Sequence, residues 1–310
     1  MIGDKKVWSC STFLNENDIL EIRINENWDY VDKFIILEAG QTHTGNPKPF
    51  NFDKERFKKY SSKLIYETIE TCDELIPNIK DLDSRAQRYL SNMQFEARAG
   101  QHHSDWVRDH QQGNHHVKLL QKHGASPQDL VVITPVDEIL SAEAFRQIGD
   151  LFLNSDEEFP LPSYESNGLT VRPIVGVYMK YFFYKLNLLH SIQCCAQVSE
   201  YSTFLRISPT VARSLSCTTH GCLQGDTGWH FSGIDDGTGN LIHQKYSSWA
   251  HSRDLQHGAD NRYYDMDTPE KAKDRIVRDF GEVLQKVEIS PEHHPAYLIN
   301  NQEKFKHLIA

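Results

Sequence analysis

Two acidic residues, Asp137 and Glu138, follow an apolar run of strand length at residues 129–133. In open α/β sheets, ligands bind outside the carboxyl ends of the strands. Carboxylates at such a place suit a hard divalent cation such as Mg²⁺ or Mn²⁺, which in turn binds a diphosphate. The alternative interpretation is a helix N-terminus, where the helix dipole favours acidic residues.

Two other segments offer polar groups beside predicted strands. Residues 38–45 supply hydroxyls, backbone amides and flexibility, which suits a nucleotide or a sugar but also an ordinary turn between a strand and a helix. In residues 228–232, Trp229 and His230 lie within a loop rich in Gly and Asp. That pair suits stacking on a sugar and a contact to a metal or a phosphate, although a lone His is more often structural. The aromatic run at residues 181–184 is interpreted as a core strand.

Composition excludes several classes of protein. The 310 residues carry a formal net charge of −10. Such a chain lacks the electrostatic footprint of a general nucleic-acid binder, so any phosphate site must be local. The sequence shows no segment apolar enough to span a membrane and no secretory signal. The six cysteines do not form a disulfide scaffold, and residues 217–222 match no common zinc pattern. We therefore expect reduced thiols and a cytoplasmic protein.

Strand-like and helix-like segments alternate over the first 150 residues. Strands are predicted at residues 7–13, 31–38, 64–69 and 129–133, with helices between and after them. This order predicts an α/β layer with a largely parallel sheet. Thr268 and Pro269 predict the start of a helix, because Thr is a good N-cap and Pro suits the first helical position. The sequence contains no repeat and no clear interdomain linker.

Eight segments, taken in order, carry a resemblance to a known family. They are residues 13–23, 31–38, 42–49, 129–139, 179–187, 228–232, 245–251 and 295–308. None is decisive alone, but the ordered set resembles glycosyltransferase family 17, whose animal members are the bisecting N-acetylglucosaminyltransferases of N-glycans.

The resemblance implies a type-A glycosyltransferase fold, which is a Rossmann-like α/β/α sandwich with a mixed central sheet. It implies one domain over residues 1–310, with a nucleotide-binding part at about 1–150 and an acceptor-side and C-terminal part at about 151–310. It also implies inverting transfer of a sugar from a nucleotide-sugar, often UDP-N-acetylglucosamine, to a glycan hydroxyl. A Mn²⁺ or Mg²⁺ ion would neutralise the diphosphate.

On this resemblance, Asp137 is expected to bind the metal, and Glu138 to orient the metal or the donor sugar. His230 is the candidate second protein ligand of the metal, and Trp229 is the candidate for the sugar face.

Other positions receive roles from the same resemblance. Glu38, Thr42 and Gly45 are expected to line the nucleotide side. The catalytic base stays open, and its candidates lie near the late matched segments: they are Asp226, Asp235 and Asp254.

The sequence departs from the family pattern at two places. Pro135 occupies the position of the expected first Asp and supplies neither a carboxylate nor an N–H. Gly113 occupies the position of an expected Arg. We therefore expect weak metal binding that depends on the nucleotide.

Three alternatives stay open. The first is metal-independent transfer in which Lys245, His251 or Arg253 braces the diphosphate. The second is a non-catalytic relative that binds glycan or nucleotide. The third is a nucleotidyltransferase, which would normally carry a basic Gly-rich phosphate loop near its N-terminus, and the sequence shows none.

Overall fold

The computed structural model describes residues 2–72, 103–153, 164–166, 169–171, 174–215, 222–250 and 267–310. The elements of the first half are β1 (Val7–Phe13), α1 (Asn17–Asn27), β2 (Lys33–Ala39), α2 (Lys54–Phe57), β3 (Leu64–Ile69), α3 (His103–Lys122), β4 (Leu130–Ile133), β5 (Glu138–Leu140) and α4 (Ala142–Leu153).

The elements of the second half are β6 (Tyr164–Ser166), β7 (Leu169–Val171), β8 (Val175–Phe183), β9 (Leu188–Glu200), α5 (Tyr201–Phe204), α6 (Pro209–Leu215), β10 (Cys222–Leu223), β11 (Gly228–Ser232), α7 (Asn240–Ser248), α8 (Pro269–Phe280), β12 (Gln285–Lys286), α9 (Ala296–Asn300) and α10 (Gln302–Phe305).

One mixed sheet organises these elements. Its strand order is β3-β2-β1-β4-β9-β8-β11-β5, with β10 paired to β8 and β12 paired to β9. β1 is parallel to β2 and β4, and β2 is parallel to β3. β9 is antiparallel to both β4 and β8, and β11 is parallel to β8. Two antiparallel steps restore the direction, so β1, β2, β4, β8 and β11 all end at the same edge of the sheet.

The sheet is covered on both faces. Successive side chains of β1 alternate between the faces, as the period of two in a strand requires. Val7 and Phe13 join a core with α1 and α4, while Trp8 and Cys10 join a second core with α3 and α6. Each fully buried large apolar side chain contributes about 1.5–3 kcal/mol, so the helices are held to both faces by burial. The result is a three-layer α/β/α arrangement.

This architecture confirms the predicted α/β fold and is consistent with an α/β glycosyltransferase-like fold. All four predicted strands form within two residues of their expected bounds. The four strands predicted in the first half are parallel to one another, while β9 and β5 run antiparallel to their neighbours, which makes the sheet mixed as the family resemblance implies. The helix α8 begins as predicted, since the Thr268 side chain accepts a hydrogen bond from the Lys271 N–H and Pro269 follows it.

Two further expectations have an outcome. None of the helices within the described ranges combines the length and apolar character needed to cross a membrane. Cys194 is disulfide-bonded, so the expectation that every thiol is reduced is wrong at this position. Cys10, Cys72, Cys195 and Cys222 are free thiols.

Candidate active site at the carboxyl edge of the sheet

A cavity of about 330 Å³ opens at the edge of the sheet where β1, β2, β4, β8 and β11 end. Its wall includes Thr12 from β1, Ala39 from β2, Pro135 after β4, Phe183 from β8 and Ser232 from β11. The chain leaves β1 towards β2 on one side, while β4 lies on the other side. Such a change in winding direction is where open α/β sheets bind ligands. We call this space the Asp137 cavity.

A buried arginine of α1 fixes the loop that carries Asp137. The Arg23 guanidinium donates to the carbonyl oxygens of Pro135 and Glu138, and its other terminal nitrogen donates to Ser9 Oγ at 2.9 Å. Burial lowers the pKa of Arg23 to about 10, still far above neutral pH, so the group stays charged. The helix therefore holds the loop against the sheet by two backbone contacts.

Asp137 is 4% exposed and faces two basic groups. Its Oδ2 lies 2.7 Å from Lys245 Nζ and 3.7 Å from His230 Nε2. Burial alone would raise the pKa of Asp137, but the charge of Lys245 and the contacts of His230 outweigh it and hold the pKa far below its usual range. Asp137 is therefore a buried carboxylate anion.

The second carboxylate oxygen of Asp137 has a different environment. Within the described structure, Oδ1 is buried and has no hydrogen-bond partner. A buried acceptor left unpaired costs about 1–3 kcal/mol, more for a charged group, so native proteins usually pair it with water, an ion or a ligand. Asp137 lines the cavity, and Oδ1 is the oxygen of this side chain that has no protein partner among the described residues.

Glu138 lines the same cavity, but both of its carboxylate oxygens already have protein partners. Its Oε1 lies 2.5 Å from Arg213 Nη2, and its Oε2 accepts from the Ala196 N–H at 3.0 Å. Ala196 has a φ of +55°, in the left-handed region that non-glycine residues rarely adopt. It lies where the β8–β9 register shifts, and such bulges often re-aim groups beside active sites. The bulge thus directs an N–H at Glu138.

A second possible ligand cluster lies under the cavity. Ligand atoms of Glu138, Cys195 and His230 all lie within 4.8 Å of one another. Cys195 Sγ is 3.6 Å from His230 Nδ1, and burial raises the pKa of this thiol well above its usual value. A thiol and an imidazole suit softer cations than Mg²⁺ or Mn²⁺. Both Glu138 oxygens already have partners, so this cluster fits a hard cation poorly.

The cavity brings cationic side chains together in an acidic chain, alongside the carboxylates of Glu16, Asp109, Asp137 and Glu138. Lys48, Arg213 and Lys245 all line it. Burial opposes the charge of Lys245, but Asp137 and Glu16 together raise its pKa above the ordinary value. The local phosphate site that the net charge demands therefore has suitable cationic side chains here.

The structure separates the three residues assigned to the nucleotide side. Thr42 lines the Asp137 cavity. Glu38 is fully buried below it and accepts from Lys48 Nζ at 2.6 Å, the Asn51 N–H at 2.7 Å and Tyr66 Oη at 2.8 Å. Its contacts are those of a residue that fastens the loop after β2.

Gly45 also lies outside the lining of the cavity. It has a φ of +90°, and an added Cβ would come within 3.0 Å of the Arg108 guanidinium. Its N–H donates to the Thr42 carbonyl, so Gly45 closes the turn that presents Thr42.

Of the two residues proposed from β11, only one reaches the cavity. His230 lines the cavity together with Ser232, whereas Trp229 packs with Phe231 in the apolar cluster on the other face. This follows from strand alternation. The indole that lines the cavity is Trp249, at the end of α7.

The two candidate bases that the structure describes, Asp226 and Asp235, are absent from the lining of the cavity. Asp226 precedes β11, at the opposite edge of the sheet, is exposed, and pairs with Lys180 at 2.8 Å. Asp235 is fully buried, and its two oxygens accept four backbone N–H groups from residues 237–242. Its geometry is that of a cap for α7. Asp254 and His251, like Arg253, lie outside the described residues.

Several lining residues carried no role in the sequence interpretation. They are His43, Asp109, Gln112, Tyr181, Arg213 and Trp249. His43, Tyr181 and Trp249 lie inside the matched segments, and Gln112 lies next to the Gly113 departure, so a signal existed for these four. Asp109 and Arg213 belong to helices without a recognisable motif, and only the fold brings them to the strand ends.

Comparison with known proteins agrees with this picture in the first part of the chain. The fold and the cavity are consistent with an α/β glycosyltransferase. Residues 2–86 match the family model described as Glycosyltransferase family 17. This match supports assignment of the chain to that family and a glycosyltransferase function in general. It covers the ends of β1 and β2 but not Asp137, His230 or Lys245. No curated protein and no solved structure matches the chain.

Proposed function

We propose that this protein transfers a sugar from a nucleotide-sugar, UDP-linked as the family resemblance implies, to a hydroxyl group of a glycan, with inversion at the anomeric carbon. The observation that carries the proposal is the buried anion Asp137, which has one unpartnered oxygen and one oxygen on Lys245, at the carboxyl edge of the sheet. UDP-N-acetylglucosamine is the first donor to test.

The cavity suits a diphosphate because three cationic side chains line it. Lys48, Arg213 and Lys245 can donate to phosphate oxygens, and Thr42 adds a hydroxyl at the end of β2. Arg213 is held by Glu138 and Lys245 by Asp137, so both cations are pre-positioned before a ligand binds. The carboxylates thus orient the groups that would contact the donor.

The residues also fit a divalent cation, although weakly. Asp137 Oδ1 is the open hard donor, and His230 is the candidate second protein ligand. A Mn²⁺ or Mg²⁺ ion held there would offset charge on the leaving diphosphate. Because Lys245 already neutralises Asp137, we expect little metal affinity until the phosphates add negative charge.

Two alternatives follow from the same contacts. If Lys245 and Arg213 neutralise the diphosphate alone, transfer proceeds without metal. If the site binds a nucleotide but transfers nothing, the chain is a non-catalytic relative.

The cytoplasmic location stays a prediction, and the disulfide of Cys194 argues against it because reducing compartments rarely retain such bonds.

The test measures thermal stability and calorimetric binding with UDP and UDP-N-acetylglucosamine, each with and without Mn²⁺. Binding should stabilise the fold by about 2.7 kcal/mol at one hundred times the Kd. Asp137→Asn should abolish transfer and retain the fold, while Asp150→Asn on the exposed face of α4 is the matched control. Absence of any shift at millimolar nucleotide would contradict the proposal, and turnover in excess EDTA would favour the metal-independent form.

A further inference from the structure

A second cavity adjoins the Asp137 cavity. It has a volume of about 380 Å³ and is bounded by α3, α6 and the end of β4. We call it the Trp106 cavity. Five described residues line both spaces, which makes them continuous: they are Thr12, Asp109, Pro135, Arg213 and Trp249.

The two cavities differ in chemistry. Arg213 is the one Lys or Arg side chain among the described residues of the Trp106 cavity, whereas the Asp137 cavity has three. The Trp106 cavity instead offers the indoles of Trp106 and Trp249 beside the polar side chains of Gln197 and Thr210. Flat aromatic faces with a few polar groups suit a neutral ring that carries hydroxyls.

Asp109 lies in the wall that the cavities share. Its carboxylate is the one carboxylate among the described residues of the Trp106 cavity. Asp137 and Glu138 each face a cation at 2.7 Å or less. The ion-pair distances of Asp109 within the described part of the chain are longer, at 3.5 Å to His43 Nδ1 and 4.0 Å to His110 Nε2, and the charge of Arg213 also acts on it. Its side chain is 38% exposed, so its oxygens can reach an incoming hydroxyl group.

A hydrogen-bond chain orients the imidazole next to Asp109. Gln112 Nε2 donates to the Leu37 carbonyl at 3.3 Å, which leaves Gln112 Oε1 to accept from His43 Nε2 at 3.0 Å. This network assigns the proton of neutral His43 to Nε2 and turns the lone pair of Nδ1 towards Asp109. A proton that reaches Asp109 therefore has a second acceptor beside it.

We propose that the Trp106 cavity binds the acceptor sugar and that Asp109 is the general base of the transfer; this proposal rests on the proposed function. The acceptor O–H bond breaks, and its proton moves to an Asp109 carboxylate oxygen. The freed oxygen electron pair forms the bond to the anomeric carbon. The bond from that carbon to the phosphate oxygen breaks, and its electron pair leaves with the nucleoside diphosphate.

The experiment uses the full chain, UDP-N-acetylglucosamine and a panel of end-labelled oligosaccharides, with UDP release and product formation as readouts. Asp109→Asn should lower kcat at least 100-fold, while the UDP Kd and acceptor KM change less than threefold. Asp109→Glu should recover part of kcat, since it restores the carboxylate. Asp150→Asn is the control, and Trp106→Ala should raise acceptor KM about tenfold without changing the UDP Kd.

The outcomes separate the two proposals. If the unsubstituted protein turns over a donor and Asp109→Asn keeps more than a third of kcat, Asp109 is not the base and the proposed function stands. A Trp106→Ala variant that weakens UDP but not the acceptor overturns the assignment of the cavity. If the unsubstituted protein transfers to no member of the panel and releases no UDP, the proposed function fails and this inference fails with it. Should Asp109→Asn not fold, the Asp109→Glu and Trp106→Ala results decide.

Discussion

Lys245 Nζ lies 2.7 Å from Asp137 Oδ2, so the carboxylate expected to bind a divalent cation already has a cation of its own. The two residues are 108 positions apart, and the sequence predicted a role for each without predicting their contact. The pair is largely removed from water. Removing one partner of such a buried pair is costly, because the charge of the other partner is left unpaired. A diphosphate could take Lys245 as a new partner and release Asp137 for a metal ion.

Lys245→Met should therefore change two affinities in opposite directions. The affinity for UDP should fall about tenfold or more, because a charge-assisted hydrogen bond to phosphate is lost. The affinity for Mn²⁺ in the absence of nucleotide should rise, because Asp137 loses its competing cation. Calorimetry measures both, and Lys122→Met, on the exposed end of α3, is the control. Unchanged UDP affinity would show that Lys245 serves only to neutralise Asp137.

Pro135→Asp tests the departure from the family pattern. The substitution supplies a carboxylate two residues before Asp137, in the wall of the same cavity. Mg²⁺ and Mn²⁺ usually take one or two carboxylates plus phosphate oxygens, so Mn²⁺ binding in the presence of UDP should tighten. Pro135→Ala is the matched control, since it removes the ring without adding charge. Equal Mn²⁺ affinity in the two variants would mean that position 135 does not face the metal.

Particular residues show how much of this site can be predicted from the sequence. The strand ends and Asp137 could be located, because apolar runs of strand length mark β1, β2 and β4. The sequence did not show which side chains of β11 face the cavity. In a five-residue strand, assigning His230 rather than Trp229 to the cavity face requires knowing which neighbour covers each face.

Contacts between residues far apart in the chain could not be predicted from the sequence for another reason. Glu138 and Arg213 are 75 positions apart, and Asp109 lies on a helix that reaches the site only because α3 packs across β1 and β2. No local pattern encodes either contact. The prediction for Glu38 has a similar limit, because an acid at the end of a strand predicts a ligand group equally well whether it faces a cavity or the chain's own loop.

Glu38→Ala should therefore destabilise the protein rather than weaken nucleotide binding. The fully buried carboxylate accepts hydrogen bonds from Lys48, the Asn51 N–H and Tyr66. Removing it leaves the buried ammonium group of Lys48 without its carboxylate partner. Breaking a buried ion pair costs about 3–5 kcal/mol in the free energy of unfolding. Urea denaturation measures this loss, with exposed Glu143→Ala on α4 as the control. If stability is retained and only the UDP affinity falls, Glu38 has the nucleotide role that the resemblance assigned to it.

The surroundings of His294 make the stability of the fold depend on pH. Its side chain is buried, with Nε2 3.0 Å from the Leu186 carbonyl and Nδ1 3.4 Å from the Ser290 N–H. Burial, together with the nearby charges of His293 and Lys180, lowers the pKa of His294 to about 4. Protonation of Nδ1 would add a buried charge and break the bond from Ser290.

The folded-state pKa of His294 lies below the unfolded value near 6.5, so between pH 6.5 and 4 the unfolded chain binds a proton that the folded chain does not. Its contribution to stability is complete above pH 6.5 and falls as the pH drops towards 4, by about 3 kcal/mol in total. His294→Gln, which cannot titrate, should lower stability at pH 7.5 but show a shallower loss on acidification. Urea denaturation of both proteins at half-unit steps from pH 4.5 to 7.5 measures the difference, in which all other titrating groups cancel. Parallel pH profiles would mean that His294 has the same pKa in the folded and the unfolded protein.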